Sequence, residues 1–187
     1  MESYDPAHVL FVCTANQCRS PLAEEIAKRG SSGSALEFSS AGLLPGGLPV
    51  PPRGVRVAAS RGLDLSTHLS RQIRLSDVEA ADVILTMTRA HSREVVALDP
   101  EAWPRVFTVK QFARWLPGRE RAAQGLRNWL NAEARDRSRA ELFGAVRDDD
   151  VVDPMNSSAR VWRRVAVELE DSVNAITRAL TVNPSTG

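Results

Sequence analysis

Cysteine, lysine, tyrosine and long apolar runs are all scarce in this chain of 187 residues. Its two cysteines, Cys13 and Cys18, are too few for a disulfide framework or for a structural zinc site built on thiolates. No run of about 18 apolar residues and no signal-peptide pattern occurs, so we expect neither a membrane span nor a membrane partner. These absences together predict a cytoplasmic protein.

Excess charge of either sign is also missing. The chain has 24 basic and 23 acidic residues, a formal net charge of +1, which argues against a nucleic-acid partner. A hydrophobic fraction of 43% is ordinary for a globular protein. The length fits one domain with a substantial core, so we predict a single domain over 1–187 with a disordered tail at 182–187.

Short apolar runs alternate with helical patterns along the chain. This alternation predicts an α/β fold, with a parallel sheet covered by helices on both faces in three layers. In such sheets the ligand binds beyond the carboxyl ends of the strands. The clearest helix is the last, where apolar residues recur every three or four positions from Trp162 to Leu180. The predicted strands cover 9–12, 36–40, 81–87 and 106–109.

Residues 9–21 read VLFVCTANQCRSP. The apolar start predicts a buried strand that ends at Cys13, and Pro21 suits the first turn of a helix. A loop between these elements can point several backbone N–H groups at one centre and so bind an oxyanion. Arg19 can bind two phosphate oxygens at once and, with the helix N-terminus, favours the thiolate form of Cys13. The residues predicted to bind the phosphate are Thr14, Ala15, Asn16, Gln17, Cys18, Arg19 and Ser20.

A thiolate that attacks phosphorus forms a phosphocysteine intermediate, and Ser20 would stabilise this thiolate when it leaves in the second step. The leaving oxygen needs an acid, and the water of the second step needs a base. Asp153, followed by Pro154, is the candidate for both tasks because proline fixes the backbone next to the carboxyl group. The carboxylates of residues 148–150 are rivals, although three like charges are more typical of a solvated loop. His91 has no such context and is expected on a helix surface.

The motif C-x5-R-S directly after an apolar strand, with Asn16 inside the loop, resembles the low-molecular-weight protein tyrosine phosphatases. The resemblance implies a four-stranded sheet in the order 2-1-3-4 and a general acid at Asp153 in a D-P dipeptide. It also implies that Ser40, in SSAG, and His68, in THLSRQ, hold Asn16 in a left-handed conformation, which asparagine tolerates better than most residues. We expect no metal and no cofactor.

The resemblance predicts a cysteine-dependent phosphomonoester hydrolase that acts on a phosphorylated protein or a small phosphomonoester. Family members that favour phosphotyrosine carry aromatic side chains after S-A and after D-P, where this chain has LLPGGLP and Met155-Asn156. Phosphotyrosine is therefore only one of the substrates to consider. A phosphate-binding module without catalysis would be expected to lack Cys13 or Arg19, and both are present.

The alternative function is an arsenate reductase that uses a small-thiol cofactor, because reductases on the same fold use a similar C-x5-R loop. The thioredoxin-coupled kind needs further cysteines downstream, and no cysteine follows Cys18. A small-thiol reductase would leave Asp153 and Cys18 without an evident task. The phosphatase is accordingly the preferred prediction.

Two features allow two interpretations each. Segment 116–147 lies outside the resemblance and is predicted to be an Arg-rich helical insertion before the last helix. Between residues 105 and 147 there are ten basic and four acidic residues, which form either a solvated helix face or a basic surface for an acidic partner. Cys18 either closes a reversible disulfide with Cys13 or only fills space behind the loop.

Overall fold

The computed structural model describes residues 6–119, 125–135, 137–138, 140 and 147–181. The predicted tail at 182–187 lies outside these residues, as do parts of the predicted insertion. Within the described ranges, no helix combines the length and the apolar character needed to cross a lipid bilayer.

Four strands form one parallel sheet in the order β2-β1-β3-β4, which confirms the predicted topology. β1 lies at the centre and places Cys13 opposite Gly42, at the carboxyl end of both strands. Its five residues from Val9 to Cys13 are buried because helices cover both faces of the sheet. The strands are β1 (Ala7–Cys13), β2 (Leu36–Gly42), β3 (Val83–Thr86) and β4 (Val106–Thr108).

Helices cover both faces, so the three-layer prediction is also confirmed. Alternate β1 residues enter two separate cores, with Phe11 on the face covered by the last helix and Leu10 on the other. The apolar stripe of the last helix, from Trp162 to Leu180, is buried as its spacing predicts. The helices are α1 (Arg19–Gly30), α2 (Pro52–Ala59), α3 (Leu75–Ala80), α4 (Arg89–Leu98), α5 (Val109–Trp115), α6 (Leu126–Glu133) and α7 (Ala159–Thr181).

Helix α3 and a 3₁₀ turn over Pro100–Arg105 are not anticipated by the sequence patterns. α3 has only six residues and buries a single one, Val78, so it shows no apolar periodicity. Its start is stabilised by Asp77, whose carboxylate accepts the backbone N–H of Arg74 at 2.8 Å.

The described part of the Arg-rich segment packs into the main core rather than standing apart from it. Trp129 and Leu130 of α6 are buried, and the Trp129 ring lies 5.2 Å from that of Trp115 on α5. The guanidinium group of Arg119 lies over Trp115, and that of Arg137 over Phe107. Cation–π contacts and burial therefore tie this segment to the sheet.

Candidate active site

The loop between β1 and α1 surrounds the thiol of Cys13. The thiol is buried and lies 3.0 Å from the hydroxyl of Ser20, on the first turn of α1. The backbone N–H of Asn16 donates to the Cys13 Sγ at 3.2 Å. Both groups are placed to stabilise negative charge on the sulfur.

Asn16 stands at the centre of this loop with φ of +52°, in the left-handed region. Its side-chain nitrogen donates to the hydroxyls of Ser20 at 2.9 Å and Ser40 at 2.8 Å. Its side-chain oxygen accepts the Arg71 backbone N–H at 2.9 Å, and its carbonyl lies 2.8 Å from Nε2 of His68. The structure thus brings Ser40 and His68 together on Asn16, and the contacts offset the cost of the unusual backbone conformation.

Arg19 connects the loop to a segment 130 residues later in the chain. Its Nη1 donates to the Val151 carbonyl at 3.0 Å, and its Nη2 donates to Asp153 Oδ2 at 2.6 Å and to Thr14 Oγ1 at 3.1 Å. Its Nε is buried and has no hydrogen-bond partner among the described residues. A buried donor without a partner is costly, so this nitrogen is suited to an anionic ligand.

Asp153 is the more accessible partner of this ion pair. Its side chain is 44% exposed, against 4% for that of Arg19. Its second oxygen accepts the backbone N–H of Met155 at 3.0 Å, and the Val151 N–H donates to the Met87 carbonyl at 2.8 Å. The carboxylate is therefore held at the mouth of the site by its own loop, which is attached to Met87, the residue after β3.

The expectation of a solvated loop is wrong for Asp149. Its side chain is only 1% exposed and accepts hydrogen bonds from Arg89, with Nε at 2.9 Å, and from Arg114. Burial alone would raise the pKa of this carboxyl, but the hydrogen bonds from Arg114 and Arg89 outweigh it and lower the pKa below its ordinary value. Asp149 is thus an anchor of the loop that presents Asp153, and Asp148 is the exposed neighbour.

His91 is also misplaced by the sequence prediction, because it lies beside the site rather than on the surface. Its ring is buried, with Nε2 at 2.9 Å from Thr14 Oγ1 and Nδ1 at 3.0 Å from Thr88 Oγ1. Burial, and then the positive charge of Arg19, lower the pKa of His91 to about 4. One signal could have revealed it: α4 starts where β3 ends, at the same sheet edge as Cys13.

The remaining loop residues differ in exposure. Cys18 is buried, and burial and then the nearby Cys13 raise the pKa of its thiol far above the ordinary value, so it stays protonated. Ala15 and Gln17 are half-buried, and the Gln17 amide donates to the Pro49 carbonyl at 3.0 Å. At the two places where an aromatic wall would be expected, Leu44, in the loop after β2, is exposed, and Met155, after Pro154, is half-buried. Val152, which precedes Asp153, adds an exposed aliphatic side chain.

Comparisons with a protein-family model and with individual known proteins both identify phosphatases. A model of the low molecular weight phosphotyrosine protein phosphatase family matches residues 8–127. The probable low molecular weight protein-tyrosine-phosphatase EpsP of Ralstonia solanacearum is 35% identical over 107 residues, 57% of this chain and 73% of that protein. The protein-arginine-phosphatase of Geobacillus stearothermophilus is 26% identical over 176 residues, 94% of this chain and 97% of that protein.

Solved structures extend the similarity to the whole fold. A low molecular weight protein tyrosine phosphatase from T. tengcongensis has a TM-score of 0.70 at 31% identity, covering 92% of this chain and 98% of its own. The YwlE arginine phosphatase from Geobacillus stearothermophilus also scores 0.70, at 26% identity, covering 94% of this chain and 93% of its own. The chain therefore belongs to the low molecular weight protein tyrosine phosphatase family of cysteine-based phosphatases.

Proposed function

We propose that this protein hydrolyses phosphomonoesters through a phosphocysteine on Cys13, with Asp153 as general acid and then general base. The thiolate attacks phosphorus, the S–P bond forms, and the P–O bond to the leaving group breaks as Asp153 gives that oxygen its proton. Water then attacks phosphorus and returns a proton to Asp153, while the S–P bond breaks and phosphate leaves with Cys13 again a thiolate.

The proposal rests on one observation, the convergence of Cys13, Arg19 and Asp153 at the carboxyl end of β1. The backbone N–H groups of the loop and the buried Nε of Arg19 are donors for the phosphoryl oxygens. Ser20 Oγ, at 3.0 Å from the Cys13 sulfur, stabilises it as a leaving thiolate.

Contact with Arg19 together with exposure distinguishes Asp153 from its rivals as the acid. The carboxylate of Asp149 is enclosed by two guanidinium groups, and an Asp150 carboxylate oxygen accepts the Arg89 backbone N–H at 2.9 Å. Asp153 lies closer to Arg19 than either, and its 44% exposed side chain can exchange protons with water. A general acid needs such access, because it must be reprotonated in every cycle.

Steady-state kinetics with phenyl phosphate and p-nitrophenyl phosphate test the proposal. Cys13→Ser should show no turnover. Asp153→Asn should lose about 10²–10⁴-fold in kcat with the phenyl leaving group and clearly less with p-nitrophenol, which needs little protonation. Asp148→Asn is the matched control, an exposed aspartate on the same loop, and should behave as wild type.

Arsenate reduction with small-thiol donors should be measured on the same preparations. Wild-type protein that reduces arsenate but leaves both aryl phosphates intact would overturn the proposal in favour of the reductase. Equal losses for both leaving groups in Asp153→Asn would remove Asp153 from the acid role while leaving the nucleophile in place.

For the substrate, we propose a phosphorylated protein side chain, with phosphotyrosine and phosphoarginine as the two candidates. Phosphoarginine is a phosphoramidate, so with this substrate the bond that breaks is P–N, and Asp153 gives its proton to the leaving guanidino nitrogen. Phosphoarginine is included because relatives named protein-arginine-phosphatase match nearly the full length of the chain. The exposed aliphatic side chains of Leu44 and Val152 offer apolar contact but no aromatic stacking partner. The kcat/KM values for phosphotyrosyl and phosphoarginyl peptides of otherwise identical sequence decide between them.

We propose that an acidic partner of the Arg-rich segment binds to one limited part of its surface. A cavity of about 520 Å³ is lined by Arg105, Arg127, Arg135 and Arg137 together with Trp103. A glutamate-rich peptide should bind there with an affinity that falls with salt and with Arg135→Glu. Binding that ignores both changes, or no binding at low salt, would contradict it.

We also propose a cytoplasmic location, because Cys13 acts only while reduced and a reducing compartment keeps its thiol free. Recovery of the native protein from an oxidising compartment with Cys13 in a stable disulfide would contradict this location.

A further inference from the structure

We propose that His91 is a positioning residue that fixes the guanidinium group of Arg19 through the hydroxyl of Thr14. The inference rests on the proposed function, because it concerns the group that binds the phosphoryl oxygens. His91 itself contacts neither Cys13 nor Asp153 by a hydrogen bond in the described structure, so its effect must pass through Thr14.

The Thr14 hydroxyl stands between the two side chains. It accepts a hydrogen bond from Arg19 Nη2 at 3.1 Å, and it lies 2.9 Å from Nε2 of His91. Threonine has a freely rotating hydroxyl, so its hydrogen-bond direction is set by its partners. A ring nitrogen on one side therefore determines how well Thr14 Oγ1 serves Arg19 on the other.

The imidazole ring is itself fixed from its far side. Thr88, the N-cap of α4, accepts the backbone N–H of His91 at 3.2 Å, and its hydroxyl also lies 3.0 Å from the ring Nδ1. The start of α4 and the end of β3 thus set the ring position. A series of hydrogen bonds runs from Thr88 through His91 and Thr14 to Arg19, whose Nη2 also binds Asp153.

A neutral imidazole suits this place. With Arg19 donating to Thr14 Oγ1, a neutral Nε2 can accept the Thr14 O–H, while Nδ1–H donates to Thr88. The groups that face the ring are Arg19 and Asp153, besides the two threonines, and burial with the Arg19 charge lowers the pKa of His91. The ring therefore orients Thr14 without adding a second positive charge beside Arg19.

A purely structural histidine would not need this geometry. The contact of Nδ1 with Thr88 stabilises the helix start alone, but Nε2 reaches a loop residue 77 positions earlier in the chain. This second contact predicts an effect on oxyanion binding that differs from any effect on folding.

The test compares His91→Phe, which keeps the ring shape without nitrogen atoms, with His91→Gln, whose amide can reach the position of Nε2. For His91→Phe we expect the inhibition constant of inorganic phosphate to rise about tenfold and kcat/KM for p-nitrophenyl phosphate to fall by at least as much. His91→Gln should recover most of both values. Such a rescue is not expected if the residue only fills space.

A double-mutant cycle with Thr14→Val tests the route. If His91 acts through Thr14, the double variant His91→Phe/Thr14→Val should be no worse than Thr14→Val alone. If the losses in activity of the two single variants multiply in the double variant, the proposal is overturned. Ser92→Ala is the matched control, because Ser92 is also buried on α4 and bonds Thr86 at 2.6 Å; it should lower stability and leave phosphate inhibition unchanged.

A wild-type measurement covers the case in which His91→Phe does not fold. The ring ¹⁵N resonances of His91 should shift on titration with inorganic phosphate, and Thr14→Val should change the Nε2 resonance most. Ring resonances that respond neither to inorganic phosphate nor to Thr14→Val would overturn the proposal. Wild-type protein without turnover would instead contradict the proposed function, so the two failures are distinguishable.

Discussion

Gly42 is the residue where a single methyl group would disturb the site most directly. It ends β2 opposite Cys13, and a Cβ placed on it would lie 2.7 Å from the Ala15 carbonyl carbon and from the Asn16 backbone nitrogen. These are backbone atoms of the proposed phosphate-binding loop, and Asn16 is held by five side-chain or backbone partners. The loop cannot retreat without losing some of those hydrogen bonds.

Gly42→Ala should therefore lower kcat/KM for aryl phosphates by about tenfold or more, because the loop donors move from their positions. Gly54→Ala is the matched control, since its Cβ would press on the Trp162 side chain, away from the loop, and should reduce stability with little effect on kcat/KM. A Gly42→Ala protein with the same kcat/KM as wild type would contradict the expected rigidity of the loop around Asn16.

Cys18 permits a test of reversible oxidation. Mild peroxide should convert the Cys13 thiolate to a sulfenic acid, and the Cys18 thiol should displace water from it to form a disulfide. Wild-type activity should then return with dithiothreitol, whereas Cys18→Ala should lose activity irreversibly. Two alkylatable thiols in the oxidised, inactive wild type would count against the disulfide.

For single residues, the sequence predicts the contacts that belong to a recognisable motif and does not predict those that arise from packing. Ser40, His68 and Asn16 could be grouped through the resemblance, and the structure places them within hydrogen-bond distance. The contacts of His91 and Asp149 are not marked by a local motif, because Thr14 lies 77 residues from His91 and Arg89 lies 60 residues from Asp149. Only the position of α4 at the end of β3 points to His91.

The loop from the 3₁₀ turn Arg147–Asp149 to the start of α7 is the element that presents Asp153, the proposed acid. It is attached to α4 and α5 through Asp149, and to Met87, the residue after β3, through Val151. Removing the charge of Asp149 should loosen this element as a whole, and Asp153 with it.

Asp149→Asn should lower the free energy of unfolding at neutral pH by about 3 kcal/mol, because it removes a buried charge that faces two guanidinium groups. The folded-state pKa of Asp149 lies below its ordinary value of 3.8. The stabilisation is therefore complete above that value and is lost as pH falls through the folded-state pKa. Urea unfolding from about pH 7 to about pH 3 should show the difference in stability between the two proteins narrowing at acid pH.

Asp148→Asn again serves as the control, with an expected change within about 0.5 kcal/mol. A constant difference between wild type and Asp149→Asn across the acid range would show that the charge is not the cause.

Among the elements, the strands and long helices could be predicted from periodicity, whereas α3 could not, since six residues around one buried side chain give no period.

For the molecule as a whole, α6 joins the Arg-rich segment to the common core. Leu130 is fully buried in the core that also contains Phe107 and α7. Composition alone suggested an appendage, because the segment is rich in arginine and has few large apolar residues. The structure shows that those few residues are the ones that pack.

Leu130→Ala should cost about 2–5 kcal/mol, which for a domain of this size lowers Tm by roughly 5–15 °C. Asn128→Ala, an exposed position on the same helix, should change Tm little. Calorimetry of both variants gives the comparison. A Leu130→Ala protein as stable as wild type would mean that α6 folds independently of the sheet.

The hydrogen bonds from Arg19 to Val151 and Asp153 also have a consequence for biosynthesis. The loop from Cys13 to Arg19 leaves the ribosome before Asp153, the proposed acid, which emerges about 130 residues later. Helix α7, which covers one face of the sheet and packs on α1, comes after Asp153. A nascent chain therefore contains a reactive thiol long before it can complete a catalytic cycle. Phosphatase activity should begin only after Asp153 and α7 have been synthesised, so translation itself delays the enzyme.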